Sequence, residues 1–190
     1  MKRLFLIATS VVALLSAAGK LKAAEPDGGG SASAYCTQTG GRVIDRAPMY
    51  GTNGPSSSWL RLTGTRQFCQ YTSSKDGSRI HVLLETLYAT TPTLAALAYY
   101  AKVPLGTGCV GNPGSCYCSQ LGGSDLFGGI NAAGGGWYGR NSQDSVLEAC
   151  IFPDMSSIDS WGLAYYSNGD IRGIDLSTVL RYGPPPAAKK

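Results

Sequence analysis

The stretch YCSQLGG at residues 117–123 closely repeats the stretch YCTQTGG at residues 35–41. In each copy a second cysteine follows at nearly the same distance, because Cys69 lies 33 residues after Cys36 and Cys150 lies 32 residues after Cys118. The shared spacing extends the similarity from a short motif to a unit of structure. The chain is therefore predicted to be a tandem repeat.

The N-terminus has the composition of a secretory signal peptide. Lys2 and Arg3 precede a mainly apolar run at residues 4–15, and small residues continue to Ala24. This run is too short to span a bilayer as a mature helix. We expect residues 1–24 to be removed, residues 25–32 to form a flexible lead, and the mature protein to be secreted or periplasmic without a transmembrane span.

The net charge of +4 comes from the predicted signal. The full chain has 16 basic and 12 acidic residues, but Lys2, Arg3, Lys20 and Lys22 lie within residues 1–24. The mature protein would have 12 basic and 12 acidic residues, so its net charge gives no electrostatic reason to bind nucleic acid. The glycines at residues 134–136 are not followed by the GK[ST] of a phosphate-binding loop, so we interpret them as a hairpin tip and expect no cofactor.

Six cysteines in an exported protein indicate disulfides. Six cysteines permit 15 pairings. If equivalent units form equivalent bonds, Cys36 pairs with Cys69 and Cys118 pairs with Cys150, which leaves Cys109 and Cys116 as a short clasp. By a chain-entropy argument, each long loop contributes about 3.5 to 4 kcal/mol and the clasp about 2.5 kcal/mol.

The predicted fold class is α+β, with two tandem disulfide-stapled units that each contain a short helix, antiparallel strands and a closing helix. The predicted domains are repeat A at residues 33–102, a linker with the clasp at 103–115, repeat B at 116–183, and a proline-rich tail at 184–190. Strands are expected at residues 42–44, 61–63, 67–71, 126–130 and 145–152. A further helix is expected at 93–102.

The closing helices are placed at residues 79–89 in repeat A and 157–166 in repeat B. Aligning Ser78 with Ser156 places Ile80 on Ile158, Leu83 on Trp161 and Tyr88 on Tyr166. These offsets put the three side chains near one helical face. We therefore expect Trp161 to be buried against the sheet.

Repeat B resembles a known family of exported domains. Its Tyr117-Cys118, Gly122-Gly123, the CIFPDMS stretch at residues 150–156, Trp161 and the preceding Asn112-Pro113 resemble a short bacterial exported domain of unknown function that carries a hemolysin label. Repeat B departs from the family at Met155, where glycine is usual, and repeat A is a divergent copy. The resemblance implies export and a compact α+β unit, and implies no reaction.

Titratable residues offer few catalytic candidates. His81 is the sole histidine, and on a helix it would pair with Glu85 four residues later. With one histidine and all cysteines paired, no metal site is expected. Asp154 and Asp159 flank the predicted helix of repeat B, and Asp76 is the counterpart of Asp154. Capping is the favoured role for these carboxylates, and an acid–base pair is the alternative.

Tryptophans are the candidate binding residues. Trp59 and Trp137 fall in turn-rich segments, and Trp161 falls in the closing helix. Exposed aromatic side chains on loops can bind sugars or peptides, whereas core packing is the alternative role.

The first function hypothesis is a non-enzymatic module that binds an envelope or extracellular protein, peptide or glycan. The alternative is an exported hydrolase that uses Asp154, Asp159 or His81. A membrane-active factor follows from the family label alone, because the sequence has no basic amphipathic helix or second long apolar run.

The two repeats have opposite charge. Residues 32–102 contain seven basic and three acidic side chains, whereas residues 112–183 contain three basic and seven acidic side chains. We expect the repeats to pack together as one body, with a ligand along the seam or on the loops that carry Trp59 and Trp137. Two independent beads joined by a linker are the alternative.

Overall fold

A computed structural model describes residues 29–125, 133–140 and 144–183 of the protein. These residues form an α+β fold, as predicted. Its elements are α1 (Gly29–Gln38), β1 (Arg42–Tyr50), β2 (Leu60–Arg61), β3 (Arg66–Thr72), β4 (Arg79–Leu83), α2 (Leu84–Tyr88), α3 (Leu94–Ala101), α4 (Pro113–Gln120), β5 (Gly135–Tyr138), β6 (Val146–Leu147), β7 (Ala149–Ile151), β8 (Ser157–Asp159) and α5 (Ser160–Ser167). The predicted signal peptide, the strand at 126–130 and the tail lie outside the described residues.

One antiparallel sheet joins the two parts of the chain, which we call segment A (residues 29–102) and segment B (residues 112–183). The strand order is β6-β5-β1-β3-β4-β8-β7, with β2 paired to β1. Strands β1, β3 and β4 of segment A are central, and segment B supplies the strands on both sides. The two segments therefore form one body, and the alternative of two separate beads is wrong.

The sheet curves back on itself. Its end strands β6 and β7 are separated in the chain by Glu148 alone. The two ends of the sheet therefore lie next to each other at this residue, which places Glu148 where both ends meet.

Three disulfides form the pairs that the spacing predicts. Cys36–Cys69 joins α1 to β3, and Cys118–Cys150 joins α4 to β7. Cys109–Cys116 closes a short loop at the start of α4. Each long bond attaches a helix to the sheet within its own segment.

The repeated glycine pair has the same two tasks in both segments. Gly40 and Gly122 follow α1 and α4 with φ of +87° and +81°, a left-handed conformation that suits glycine. A Cβ on Gly41 would lie 2.2 Å from Sγ of Cys69, and one on Gly123 would lie 2.3 Å from Sγ of Cys150. The first glycine ends the helix, and the second leaves room for the disulfide.

The aspartate–serine turns are also alike. Asp76 Oδ1 accepts hydrogen bonds from the amide and the hydroxyl of Ser78, and Asp154 Oδ1 accepts the same two bonds from Ser156. The residues between them, Gly77 and Met155, have φ of +73° and +64°. Met155 thus occupies a conformation that glycine adopts at lower cost.

Both predicted closing helices begin too early in the chain. Residues 79–83 form β4, and helix α2 covers Leu84–Tyr88. Strand β4 is central and mostly buried, so its apolar residues form a continuous run that does not distinguish a strand from a helix. In segment B, residues 157–159 form β8 before α5 begins.

The predicted alignment of the repeats is also shifted. Cys69 lies opposite Val82 in the sheet, and Cys150 lies opposite Ile158. Val82, two residues beyond Ile80, is therefore the counterpart of Ile158. Val82 and Ile158 also pair with each other, and this pair joins β4 to β8 across the two segments.

Two glycine-rich segments differ from their predictions. Gly135 and Gly136 belong to β5 and pair with Tyr50 and Met49 of β1, so they are not a hairpin tip. A Cβ on Gly136 would lie 2.5 Å from Val146 Cγ1, which explains why a strand carries glycine here. Helix α1 begins at Gly29, inside the predicted flexible lead.

The main core mixes side chains from both segments. Its buried members include Tyr71, Leu87 and Tyr99 from segment A and Tyr117, Ile158 and Leu163 from segment B. The Tyr99 ring stacks on Tyr166 with a centroid distance of 3.9 Å and an interplanar angle of 11°. In the part of the chain that the structure describes, no helix has both the length and the apolarity to cross a membrane.

Segment B also caps a helix of segment A. Asp154 Oδ2 accepts a hydrogen bond of 2.7 Å from the Leu94 amide, and Ser156 Oγ accepts one of 2.9 Å from the Ala95 amide. Both amides lie at the N-terminus of α3, where backbone donors lack partners within the helix. Asp154 therefore caps α3, and the prediction that it caps the segment B helix is wrong.

Candidate functional site

A cleft of about 550 Å³ lies where segment B meets the loop after β1. Its walls include Thr52 and Asn53 from that loop and residues of β5, β6 and α5. The chemically active side chains in its lining are Asp144, Glu148, Asp159, Trp161, Tyr165 and Arg172. The cleft lies between the two segments, where a ligand was expected.

Helix α5 places two aromatic rings in this cleft. Asp159 caps the helix, because its Oδ1 accepts a hydrogen bond of 2.9 Å from the Gly162 amide. A Cβ on Gly162 would lie 2.6 Å from Ile80 Cγ1, so the helix packs closely on β4 at this glycine. Trp161 and Tyr165 are four residues apart and share a helical face. Their ring centroids lie 6.0 Å apart.

Trp161 is partly exposed, so the prediction that it packs in the core is wrong. Leu163 and Gly162 occupy the buried face of α5 instead. The indole Nε1 of Trp161 donates a hydrogen bond of 2.9 Å to Glu148 Oε2. This bond fixes the orientation of the ring at the cleft wall.

Glu148 is held by a second donor. Asn112 Nδ2 donates to Glu148 Oε2 at 2.6 Å. The Oδ1 of the same asparagine caps α4 by accepting from the Gly114 and Ser115 amides, as the Asn-Pro pair predicts. Among the described residues, no donor contacts Glu148 Oε1, so this oxygen can accept a hydrogen bond from a ligand.

A buried polar chain lies beneath the cleft. His81 Nδ1 is 3.2 Å from Asp159 Oδ2, and His81 Nε2 is 3.0 Å from Arg46 Nη2 and 3.2 Å from Gln70 Oε1. A guanidinium can only donate, so His81 Nε2 accepts from Arg46 and Nδ1–H donates to Asp159. His81 lies in β4 and joins segment A to segment B. The prediction that it pairs with Glu85 on a helix is wrong.

Arg46 is the largest fully buried side chain in the described residues. Its Nη1 donates to the carbonyl oxygens of Trp137 at 2.8 Å and Asp144 at 2.9 Å. Burial lowers the pKa of Arg46 to about 10, although Asp144 and Asp159 act in the opposite direction. Arg46 therefore stays charged at neutral pH and fixes the residues behind the cleft.

Arg172 lines the cleft, and Arg79 contacts the lining residue Asp144. Arg79 Nε forms an ion pair of 3.0 Å with Asp144 Oδ2, which joins a basic residue of segment A to an acidic residue of segment B. The guanidinium of Arg172 lies over the Tyr165 ring at 5.0 Å, and its Nε donates to the Arg79 carbonyl oxygen at 3.3 Å. Within the described ranges, no carboxylate lies within ion-pair distance of Arg172.

The three predicted binding tryptophans do not lie together. Trp59 Nε1 donates to the Gly54 carbonyl oxygen at 2.9 Å, and its ring contacts Tyr138 edge-on. Trp137 packs against Phe68 beside a small core cluster. Of the three, Trp161 is the one that lines this cleft.

The three acidic candidates also have different roles. Asp159 caps α5 and contacts His81, whereas Asp154 caps α3 and Asp76 is held by Ser78 in a turn. The structure therefore brings His81 and Asp159 together without Asp154. No group of three or more His, Cys, Asp or Glu side chains in the described residues is arranged to hold a metal ion.

Sequence reasoning missed Glu148, Tyr165 and Arg172. Tyr165 could have been found from its four-residue spacing to Trp161, once α5 was placed correctly. Glu148 and Arg172 reach the cleft through the curvature of the sheet and the path of the chain after α5, which have no local sequence signal. No protein-family model, curated protein or solved structure matches the chain.

Proposed function

We propose that the protein is a secreted or periplasmic, non-enzymatic binding module that holds an envelope or extracellular peptide, protein segment or glycan in this cleft. The observation that carries the proposal is the pair of rings from Trp161 and Tyr165 beside Glu148. One oxygen of this carboxylate is held by two donors, and the other has no donor among the residues that the structure describes. Ligand sites commonly combine such apolar walls with a few polar groups that are already in position.

Export is supported by the three disulfides, which account for all six cysteines of the sequence. The predicted signal peptide and the resemblance to exported bacterial domains agree with this proposal. Reduction in the cytosol would leave six thiols, most of them in buried positions, without their cross-links.

We further propose that the chain consists of two tandem disulfide-stapled units. Three features of segment A recur in segment B: a helix bonded to a strand by a disulfide, two glycines with equal tasks, and an aspartate–serine turn. Segment B adds β5 and β6, which extend the sheet of segment A. The proposed units therefore share one sheet.

Binding is favoured over hydrolysis by the position of His81. Its side chain is 1% exposed, and its Nε2 faces Arg46 and Gln70 instead of the cleft. A general base must reach the proton that it removes. Both oxygens of Asp159 already accept hydrogen bonds, from Gly162 and His81.

Tryptophan fluorescence tests the binding proposal. The mature protein is titrated with extracts and defined peptides or oligosaccharides, and ligand contact should change the emission of Trp161. Trp161→Phe should remove that change and weaken binding by about 10-fold, because the hydrogen bond to Glu148 and part of the aromatic surface are lost. Trp59→Phe is the matched control, since Trp59 lies outside the cleft. Equal responses from both variants would contradict the proposal.

The contact between His81 and Asp159 at 3.2 Å favours one alternative, an exported hydrolase that uses these two residues. Hydrolysis of ester, peptide or glycosidic substrates that is abolished by Asp159→Asn and retained by Asp154→Asn would support it. Lysis of erythrocytes by the purified protein would support the membrane-active alternative that the family label implies.

A further inference from the structure

Two charged groups in the cleft lack a charged protein partner among the described residues. Asp144 is paired with Arg79 at 3.0 Å, and Asp159 is occupied by His81 and the Gly162 amide. Glu148 receives two neutral donors on one oxygen, and Arg172 donates to a backbone carbonyl. One carboxylate and one guanidinium therefore remain to bind charges of a ligand.

Each of these two charges contacts a different ring of the aromatic pair. Glu148 is bonded to Trp161 at 2.9 Å, and Arg172 lies over Tyr165 at 5.0 Å. The centroids of these two rings are 6.0 Å apart. Since an extended chain rises about 3.3 to 3.6 Å per residue, the rings span about two residues. A ligand with a positive and a negative end would therefore need about three residues to reach both charges.

We propose that the cleft binds a short peptide of about three residues with free ends, its ammonium on Glu148 and its carboxylate on Arg172. This inference rests on the proposed binding function and names its ligand class. The side chains of the peptide contact Trp161 and Tyr165, and the volume of about 550 Å³ is within the range of small-ligand sites.

A neutral glycan fits these charges less well. It offers hydroxyl groups to both Glu148 and Arg172 but neutralises neither charge, although binding removes water from both. Charged groups that lose water require a charged, hydrogen-bonded partner for compensation. A peptide with both ends free supplies one such partner for each charge.

Isothermal titration of the mature, disulfide-bonded protein tests the inference with four probes: trialanine, N-acetyl-trialanine, trialanine amide and the neutral trisaccharide cellotriose. Trialanine should bind, and blocking either end should weaken binding by about 10-fold to 100-fold, the range for a hydrogen bond between charged groups. Glu148→Gln keeps an acceptor for Trp161 and Asn112 and should reduce binding of trialanine while leaving binding of N-acetyl-trialanine unchanged.

Arg172→Gln should mirror this result at the other end, with trialanine weakened and trialanine amide unchanged. Exposed Glu85→Gln and Arg140→Gln are the matched controls and should bind trialanine like the unmodified protein. Equal affinity for free and blocked peptides, or equal losses in the control variants, would overturn the peptide inference. Binding of cellotriose without binding of trialanine would overturn the peptide inference and leave the binding proposal standing. Binding of none of these probes would also overturn the peptide inference. The binding proposal would then fall only if extracts also left the Trp161 emission unchanged.

Discussion

Removing one long disulfide tests whether the two segments unfold as one body. Two double variants are compared, Cys36→Ala with Cys69→Ala and Cys118→Ala with Cys150→Ala. The sequence separations of the two bonds are 33 and 32, and chain entropy gives about 3.7 kcal/mol for each. Because both segments share a sheet and a core, each variant should lose about this amount of stability from a single transition.

Calorimetry and urea unfolding followed by circular dichroism measure this loss. For a protein of this size, a loss of about 3.7 kcal/mol lowers the melting temperature by roughly 7 to 15 °C. The clasp variant, Cys109→Ala with Cys116→Ala, is an internal standard, because its sequence separation of 7 predicts about 2.4 kcal/mol. Two transitions, with only one moved by each variant, would refute the single-body reasoning.

Three further substitutions test local features. Asp154→Ala should lower the stability by about 1 kcal/mol at pH 7 through loss of the α3 cap. Partial burial raises the pKa of Asp154, but hydrogen bonds from Ser156 and the Leu94 amide outweigh burial and lower the pKa below 3.8. The stabilisation is thus complete above the unfolded pKa and is lost as pH falls through the folded pKa, so variant and parent should converge in urea titrations at acid pH. Gly123→Ala should cost about 1 to 3 kcal/mol by crowding the disulfide, whereas Gly183→Ala, with open space around it, should change stability by less than about 0.5 kcal/mol; equal melting temperatures would contradict this. Met155→Gly should stabilise the protein by about 0.5 to 1 kcal/mol by relieving the left-handed backbone, and a lower melting temperature would contradict that reading.

Features with a local chemical signal could be predicted from the sequence. The cysteine spacing predicted the disulfide pairs. The left-handed Gly40 and Gly122 after α1 and α4, and the Asn112 cap of α4, are features of the same local kind. Each depends on a few neighbouring residues, or on the repetition of a motif within the chain.

Features that depend on distant pairing could not be predicted. The RIHVL stretch of β4 is buried in the centre of the sheet, so its pattern fits a helix as well as a strand. The placement of β5 beside β1 has no local signal, and His81 meets Asp159 only because β4 and β8 are neighbours. The cleft follows from those long-range contacts, which is why Trp161 was recognised as a candidate and its partners were not.

The strand order has a consequence for the integrity of the chain. No disulfide spans residues 103–108, because Cys36–Cys69 lies before them and both other bonds lie after them. A protease cut there would convert the protein into a heterodimer of two fragments. The interface between them would include both edges of the three-stranded group β1, β3 and β4, where β1 pairs with β5 and β4 pairs with β8. The separated pieces would each expose unpaired strand edges, which favour pairing with another chain. Segments A and B should therefore behave as complementary fragments that restore the β1–β5 and β4–β8 pairings only on reassociation.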